Sequence, residues 1–439
     1  MKATRIITTV FIALASLAAN AQEGAWNGEL NVMGTKLPLV FNFSGDGCTM
    51  DSPSQGAKGI PAEKTIKDDG TIKVSVAMIG ATFEGKMENG EIKGTYTQNG
   101  FHIPLTLKPG KLVVKRPQTP VAPFPYKEEN ISFTNAGYTF NGTLTLPQNY
   151  SKQTPVVLMV TGSGQQNRDE EGFDHKPFAV IADALARQGI ASLRYDDRGW
   201  NDKNIDFGQF TTADFLQDAA SALPLLRKRF NKVGILGHSE GGTIAMMLAA
   251  EGKADFIVSL AGMAISGKET LVMQNRQAMS AINLPKDMVD SYCATISNIL
   301  NEIANGKKTS EITIDGVPDN LKPILKRSLE QANSPYIRHF ITIDAGKQLS
   351  KIKCPVLALN GTKDTQVDCA ANTTILETGL SNCKHTIKKI DGVNHMFQHC
   401  STGSIVEYQQ IEETIAPEVL ETITKWINDQ QRTINEAQE

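Results

Sequence analysis

The sequence predicts an α/β protein built on a mostly parallel sheet, with a helical insertion late in that sheet and a small all-β domain ahead of it. Three observations carry this reading. From Ile131 onward, short apolar runs alternate with helix-forming stretches, the pattern of a parallel sheet covered by helices. From about residue 266 to 350 the alternation stops and only helical patterning remains. Between residues 24 and 108 the pairs Asp69-Gly70, Asn89-Gly90 and Asn99-Gly100, with Gly45-Asp46-Gly47, separate short alternating stretches. Such pairs are strong hairpin signals.

Taken in chain order, Lys2 and Arg5 precede an apolar stretch from Ile6 to Leu17, and Ala19-Asn20-Ala21 supplies a small-x-small pattern. This predicts a signal peptide over residues 1–21, a mature chain from Gln22, and a periplasmic or extracellular destination. The apolar stretch is short for a membrane span, and no later run is long and apolar enough for one. Residues 22–108 form the β domain, expected to close as a barrel or pack as a sandwich, and they hold no constellation that could do chemistry. Pro109, Pro117, Pro120, Pro123 and Pro125 mark a stiff linker over residues 109–127. The second domain, residues 128–439, opens on a hairpin, Ile131–Asn135 with Tyr138–Leu146. Strands follow at Pro155–Val160, Ile190–Tyr195, Phe256–Gly262, Pro355–Asn360 and His385–Ile390. Helices are expected over Lys176–Gln188, over Thr211–Arg229 with Thr211 or Thr212 as its cap, and over Glu418–Asp429. The insertion at about 266–350, including Met288–Ile303 and Leu321–Ala332, lies where ligands bind such sheets and reads as a cap over the site.

The formal charge is −3, from 44 basic and 47 acidic residues, and no long basic run occurs, which argues against nucleic acid and anionic membrane surfaces as partners. Of the six cysteines, Cys369 and Cys400 each lie five residues past a candidate site residue. They are expected either to bridge or to serve as small buried apolar groups.

The decisive motif is Gly237-His238-Ser239-Glu240-Gly241, with the apolar, β-prone Lys232–Leu236 before it and the helix-forming Gly242–Ala250 after it. Strand, G-x-S-x-G, helix is the nucleophile elbow of α/β-hydrolases. A serine needs a base in reach and an acid to orient that base, in the chain order Ser, acid, His. His395 stands in the loop after a strand and is the expected base, whereas His385 begins a strand. Asp364, in the turn leaving Val356–Asn360, is the expected acid, with Asp368 as the alternative and Asp391 too close to the base. The oxyanion donors expected are the amide of Glu240 and that of Ser163 or Gly164, in the loop after the Pro155–Val160 strand. His238 is expected to point away from the nucleophile. His395, His399 and Cys400 form no zinc-binding pattern, because Met396 stands where the glutamate would follow, so neither metal nor cofactor is expected. Arg168, Asp169, Asp197 and Arg198 are expected to form a structural lattice of buried ion pairs rather than to read substrate charge.

Gly162–Asp169, Lys176-Pro177-Phe178, Leu193–Gly199 and Gly237–Gly242 together resemble the capped bacterial α/β-hydrolase carboxylesterases, which are distantly similar to prolyl oligopeptidase-type peptidases and bile-acid acyltransferases. The resemblance spans roughly residues 130 to 430. It implies hydrolysis of small to medium acyl esters through an acyl-enzyme on Ser239, with no cofactor. The alternatives are a serine aminopeptidase, an acyltransferase or thioesterase on the same triad, or a glycan-binding protein without catalysis. The β domain resembles a module preceding such hydrolases in Bacteroidetes-like exported proteins, and is expected to contact a partner or the cap. One departure is visible: Trp200-Asn201-Asp202-Lys203 follows Asp197-Arg198-Gly199, where the family has a small residue and serine.

Overall fold

The structure, a computed structural model, describes residues 23–436 except 33, 34, 46, 54–56, 113, 201, 203, 282, 283 and 315–321. The expected signal peptide lies outside the described residues, as do Asn201 and Lys203 of the departure noted above. The chain divides into two units, residues 1–115 with 405–412 and residues 116–404 with 413–439.

In the first unit, eight strands run as an antiparallel meander and close into a barrel. They are β1 (Gly24–Val32), β2 (Thr35–Ser44), β3 (Gly47–Ser52), β4 (Ala57–Ile66), β5 (Ile72–Val76), β6 (Ala81–Glu88), β7 (Glu91–Gln98) and β8 (Phe101–Pro109). Pairing of Trp26 with Pro109 and of Asn27 with Lys108 joins β1 to β8. The alternation seen in the sequence becomes inside and outside: Phe41 and Phe43, Ile72, Val74 and Val76, and Leu105 and Leu107 all turn inward. Side chains therefore fill the barrel. At Gly94 a Cβ would lie 2.1 Å from the Glu84 carbonyl, so a glycine permits the tight coiling between β6 and β7.

The second unit holds an eight-stranded sheet, ordered β16-β15-β14-β13-β11-β12-β10-β9. Its strands are β9 (Lys127–Asn135), β10 (Tyr138–Leu146), β11 (Val156–Val160), β12 (Ala191–Tyr195), β13 (Val233–His238), β14 (Phe256–Leu260), β15 (Val356–Gly361) and β16 (His385–Ile390). The β9–β10 hairpin is antiparallel and β10 pairs antiparallel with β12; the remaining pairings are parallel. β11, β13, β14 and β15 are buried at every position, which is why their sequences are continuous apolar runs rather than alternating ones.

Helices cover both faces. On one face α1 (Pro177–Arg187) and the C-terminal helix (Pro417–Glu436) pack on Val157 and Met159. On the other, α2 (Thr212–Arg227) and α3 (Glu240–Ala250) pack on Val156, Leu158 and Val160. The C-terminal helix buries Val419, Ile423 and Ile427, a stripe at four-residue spacing. Thr211 is the residue before α2, and its amide donates to the Asp214 carboxylate at 2.8 Å. This satisfies a donor that the first helical turn leaves open.

Between β14 and β15 lie α4 (Gly267–Ala281), α5 (Lys286–Ala304), α6 (Lys322–Gln331) and α7 (Pro335–Phe340), followed by α8 (Cys369–Gly379) after β15 and the C-terminal helix as α9. Ser266 and Glu269 form a reciprocal cap at the start of α4: the Ser266 amide donates to the Glu269 carboxylate and the Glu269 amide donates to the serine hydroxyl. The insertion has its own apolar core around Val289, Tyr292, Ile296, Leu325 and Ile341. A second cluster, Met263, Phe340, Ile343 and Val367, joins α7 to the ends of the sheet strands.

The proline-rich segment is not a free spacer beyond residue 115. Arg116 donates to the carbonyls of Phe173 and Asp174, and Gln118 donates to the Ile415 carbonyl while accepting from the Thr414 and Ile415 amides. Prolines remove amide donors, so side chains do the anchoring. The bridge considered between Cys369 and Cys400 does not form, and none of the six cysteines is in a disulfide. The Cys369 thiol faces the Asn360 carbonyl, whereas that of Cys400 turns to the Gly392 carbonyl.

Candidate active site

The site begins where β13 gives way to α3. Ser239 sits there at φ 53° and ψ −121°, in the left-handed region that a residue with a Cβ rarely occupies. Strain of this kind costs on the order of 1–3 kcal/mol and persists only where the surroundings impose it. Here the Ser239 amide donates to the Leu260 carbonyl at 2.8 Å, and the Ser239 carbonyl accepts from the Gly242 amide at 2.9 Å. The glycines of the motif are steric necessities. A Cβ on Gly237 would lie 1.9 Å from the Gly241 carbonyl, and one on Gly241 would lie 2.0 Å from the Val160 carbonyl. The same crowding brings the loop after β11 against the elbow: a Cβ on Gly162 would stand 3.2 Å from that of Ser239.

Asp364 and His395 meet as expected from their loops. The His395 Nδ1 lies 2.8 Å from Asp364 Oδ2, with 4% and 0% of the two side chains exposed. The other carboxylate oxygen accepts the amides of Gln366 and Val367, each at 2.8 Å. A carboxylate anchored in this way accepts from Nδ1–H, which leaves Nε2 with a lone pair. Among the described residues no hydrogen bond reaches Nε2. The alternatives are otherwise engaged. Asp368 caps α8 by accepting from the Ala371 amide, Asp391 accepts from the Thr362 hydroxyl, and His399 sits between Glu413 and Glu418.

His238 does more than point away from the nucleophile. Its Nδ1 lies 3.0 Å from Glu170 Oε1, its Nε2 lies 3.0 Å from the His395 carbonyl, and the two imidazole rings stand 4.7 Å apart. Glu170 Oε1 also accepts from the Gly162 amide at 2.8 Å, so one carboxylate ties the loop after β11 to His238. That amide is thereby consumed. The amides of Ser163 and Glu240, two of the expected oxyanion donors, carry no hydrogen bond among the described residues. Gly164, the third, adopts φ 92°, a conformation that favours glycine.

Glu240 is buried, and its carboxylate accepts from the hydroxyl of Thr212 in α2 and, at 2.7 Å, from the phenol of Tyr336 in α7. The insertion therefore reaches the elbow itself. Burial first, then the charge of Glu240, holds the Tyr336 phenol well above its ordinary range, which keeps it a donor. An aromatic row continues from Tyr336 to Phe215 and Phe207 on one side and to Phe340 on the other.

The expected Asp–Arg lattice exists with different partners. Arg168 forms a fork with Asp196, Arg194 pairs with Asp169 and Glu128, and Arg198 forms a fork with Asp218 between the rings of Tyr138 and Phe210. Among the described residues Asp197 has no arginine partner: it accepts from the Thr161 hydroxyl and the Gln166 amide. Burial pushes its carboxyl well above the ordinary range, against the effect of those hydrogen bonds.

Sequence reasoning missed Glu170, Thr212 and Tyr336. Glu170 stood one residue beyond the quoted Gly162–Asp169 motif, an acid in a loop leaving a buried strand, and that position was its only signal. Tyr336 lies 96 residues from Glu240 inside a helical insertion, and no local pattern points to it.

The sheet order, the elbow and the helical layers define the class: the second unit has the α/β-hydrolase fold. The family described as serine aminopeptidase, S33, matches residues 175–297. Esterase EstD of Thermotoga maritima is 26% identical over 304 residues, covering 67% of this chain and 68% of that protein. Among solved structures, Est1E from Butyrivibrio proteoclasticus aligns with a TM-score of 0.42 at 17% identity, over 69% of this chain and 98% of its own. Dienelactone hydrolase from Anabaena variabilis aligns with a TM-score of 0.40 at 17% identity, over 70% of this chain and 98% of its own.

Proposed function

We propose that this chain is a serine carboxylic ester hydrolase acting on small to medium acyl esters. Ser239 attacks the acyl carbon, His395 takes the serine proton and returns it to the leaving alcohol, and Asp364 holds the imidazole in the required tautomer. The amides of Glu240 and of Ser163 or Gly164 stabilise the tetrahedral oxyanion. The observation that carries the reading is the pairing of a strained Ser239 at a strand-to-helix turn with a buried His395–Asp364 couple whose Nε2 is left unengaged among the described residues. The similarity to esterase EstD supports ester hydrolysis over other acyl chemistry. The basic and apolar start of the sequence supports export.

The test is hydrolysis of p-nitrophenyl esters from two to twelve acyl carbons, with Ser239→Ala alongside and fluorophosphonate labelling of both proteins. Hydrolysis and labelling that vanish together in the variant are the expected result. Hydrolysis unchanged in Ser239→Ala would refute the role of Ser239. A second reading, peptide-bond cleavage at an amino terminus, follows from the description of the matched family. Aminoacyl p-nitroanilides in the same assay separate the two.

A further inference from the structure

Both ring nitrogens of His238 face acceptors. A backbone carbonyl can only accept, so Nε2 must carry a proton to bond the His395 carbonyl at 3.0 Å. On the other side stands Glu170 Oε1, which already accepts from the Gly162 amide and, as part of an ionised carboxylate, can only accept from the ring as well. That requires a proton on Nδ1 as well. The ring is buried, beside a small cavity that it lines together with Phe178, Ile181, Leu260 and Phe397.

We infer that His238 is a positioning residue held as an imidazolium, forming with Glu170 a buried charged strut that runs from the loop after β11 to the backbone of His395. The inference rests on the ester-hydrolase reading for its catalytic consequence, though not for the protonation state itself. The strut fixes two things at once: the Gly162 amide, next to Ser163, and the carbonyl of the residue proposed as the base. A shift of either would misplace groups whose geometry decides the rate. Glu170 holds its position at φ 52°, and Asn167 supports that turn by accepting, through its side chain, the amides of Asp169 and Glu171. The turn thus aims the carboxylate inward.

The groups facing His238 are Glu170 from the loop after β11, Asp364 from the loop after β15, and the ring and carbonyl of His395 from the loop after β16. Burial lowers the His238 imidazole, but the charge and hydrogen bond of Glu170, the His395 carbonyl and the charge of Asp364 together raise it above its ordinary 6.5. A histidine raised in the folded state stabilises fully below its unfolded value and loses that contribution as pH rises through the folded one. The strut therefore releases on the alkaline side.

The test has two arms. In the full chain with ¹⁵N-labelled histidine, the His238 ring signals are assigned by their loss in His238→Gln or, should that variant not fold, by their shift in Glu170→Gln. Two protonated ring nitrogens at neutral pH are expected. A neutral ring with one bare nitrogen overturns the imidazolium, whatever the enzyme hydrolyses. In the second arm, Glu170→Gln removes the charge while keeping an acceptor. It is expected to lower kcat by about 10- to 100-fold, in the range typical of groups that orient a reacting residue. KM should stay within a factor of about three, and the alkaline limb should move to lower pH. A uniform loss at all pH values, or no change in kcat, overturns the positioning role. Absence of ester hydrolysis in the unaltered protein would refute only the function proposed above, because the nitrogen spectra still decide the strut.

Discussion

Two buried histidine–carboxylate pairs lie side by side, their rings 4.7 Å apart, and they differ in what lies on the far side of the ring. In His395–Asp364 one nitrogen is bonded and the other carries no hydrogen bond among the described residues. In His238–Glu170 both nitrogens are engaged, one by a carboxylate and one by the carbonyl of His395. The same two residue types thus serve opposite ends. An imidazole with one unengaged nitrogen can accept and return a proton, whereas one satisfied on both sides can only hold what it touches. The carboxylates differ in the same sense. Asp364 spends its second oxygen on two amides of its own turn, while Glu170 spends its bonded oxygen on an amide of the loop beside the serine.

The contrast breaks or sharpens under substitution. Removing the pair with the unengaged nitrogen should cost most. His395→Ala is expected to lower kcat for esters on the order of 10⁶-fold, comparable to Ser239→Ala, and a loss below about a hundredfold would end the assignment. Asp364→Asn should cost about 10⁴-fold, because an amide can present its N–H to Nδ1 and favour the wrong tautomer. Fluorophosphonate labelling should slow in parallel, and a variant that labels at the normal rate would show that Asp364 does not orient the base. Glu170→Gln is expected to fall well short of either, at about 10- to 100-fold with a displaced alkaline limb. Equal losses for Asp364→Asn and Glu170→Gln would erase the distinction between the pairs.

The smallest effect is expected in the helical insertion. Tyr336→Phe removes the phenol donor from the buried Glu240 carboxylate while leaving the Thr212 hydroxyl in place. One unsatisfied buried acceptor costs about 1–3 kcal/mol, and a charged one more, so thermal stability should fall. With Ser239 and His395 untouched, kcat/KM should drop by no more than about tenfold, through cap position rather than chemistry. A larger loss in kcat alone would move Tyr336 into the reacting group's immediate surroundings.

The elbow was legible because the steric demand is written in consecutive residues. Gly237 and Gly241 cannot carry a Cβ, and the apolar Val233–Leu236 before them reads as a buried strand. Asp364 and His395 were legible for a related reason: each leaves the end of a strand, where short loops place polar residues at the edge of such a sheet. His238 was visible but its role was not, since that role depends on two groups 68 and 157 residues away. The arginines were identified as structural, yet their partners were set by how β12 and α2 pack, and Asp197 turns to Thr161 and Gln166 instead. The barrel's closure likewise depended on the final register, since alternation alone fits a sandwich as well.

By itself the sequence determined the order of elements, the position of the strained serine and which carboxylate and histidine leave the strands beyond it, because backbone sterics and hydrophobic periodicity act over a few residues. Only the tertiary structure decided which buried polar groups share a hydrogen bond. A carboxylate in the interior takes whatever donors packing delivers, and those donors, the Tyr336 phenol and the His238 ring among them, arrive from distant parts of the chain.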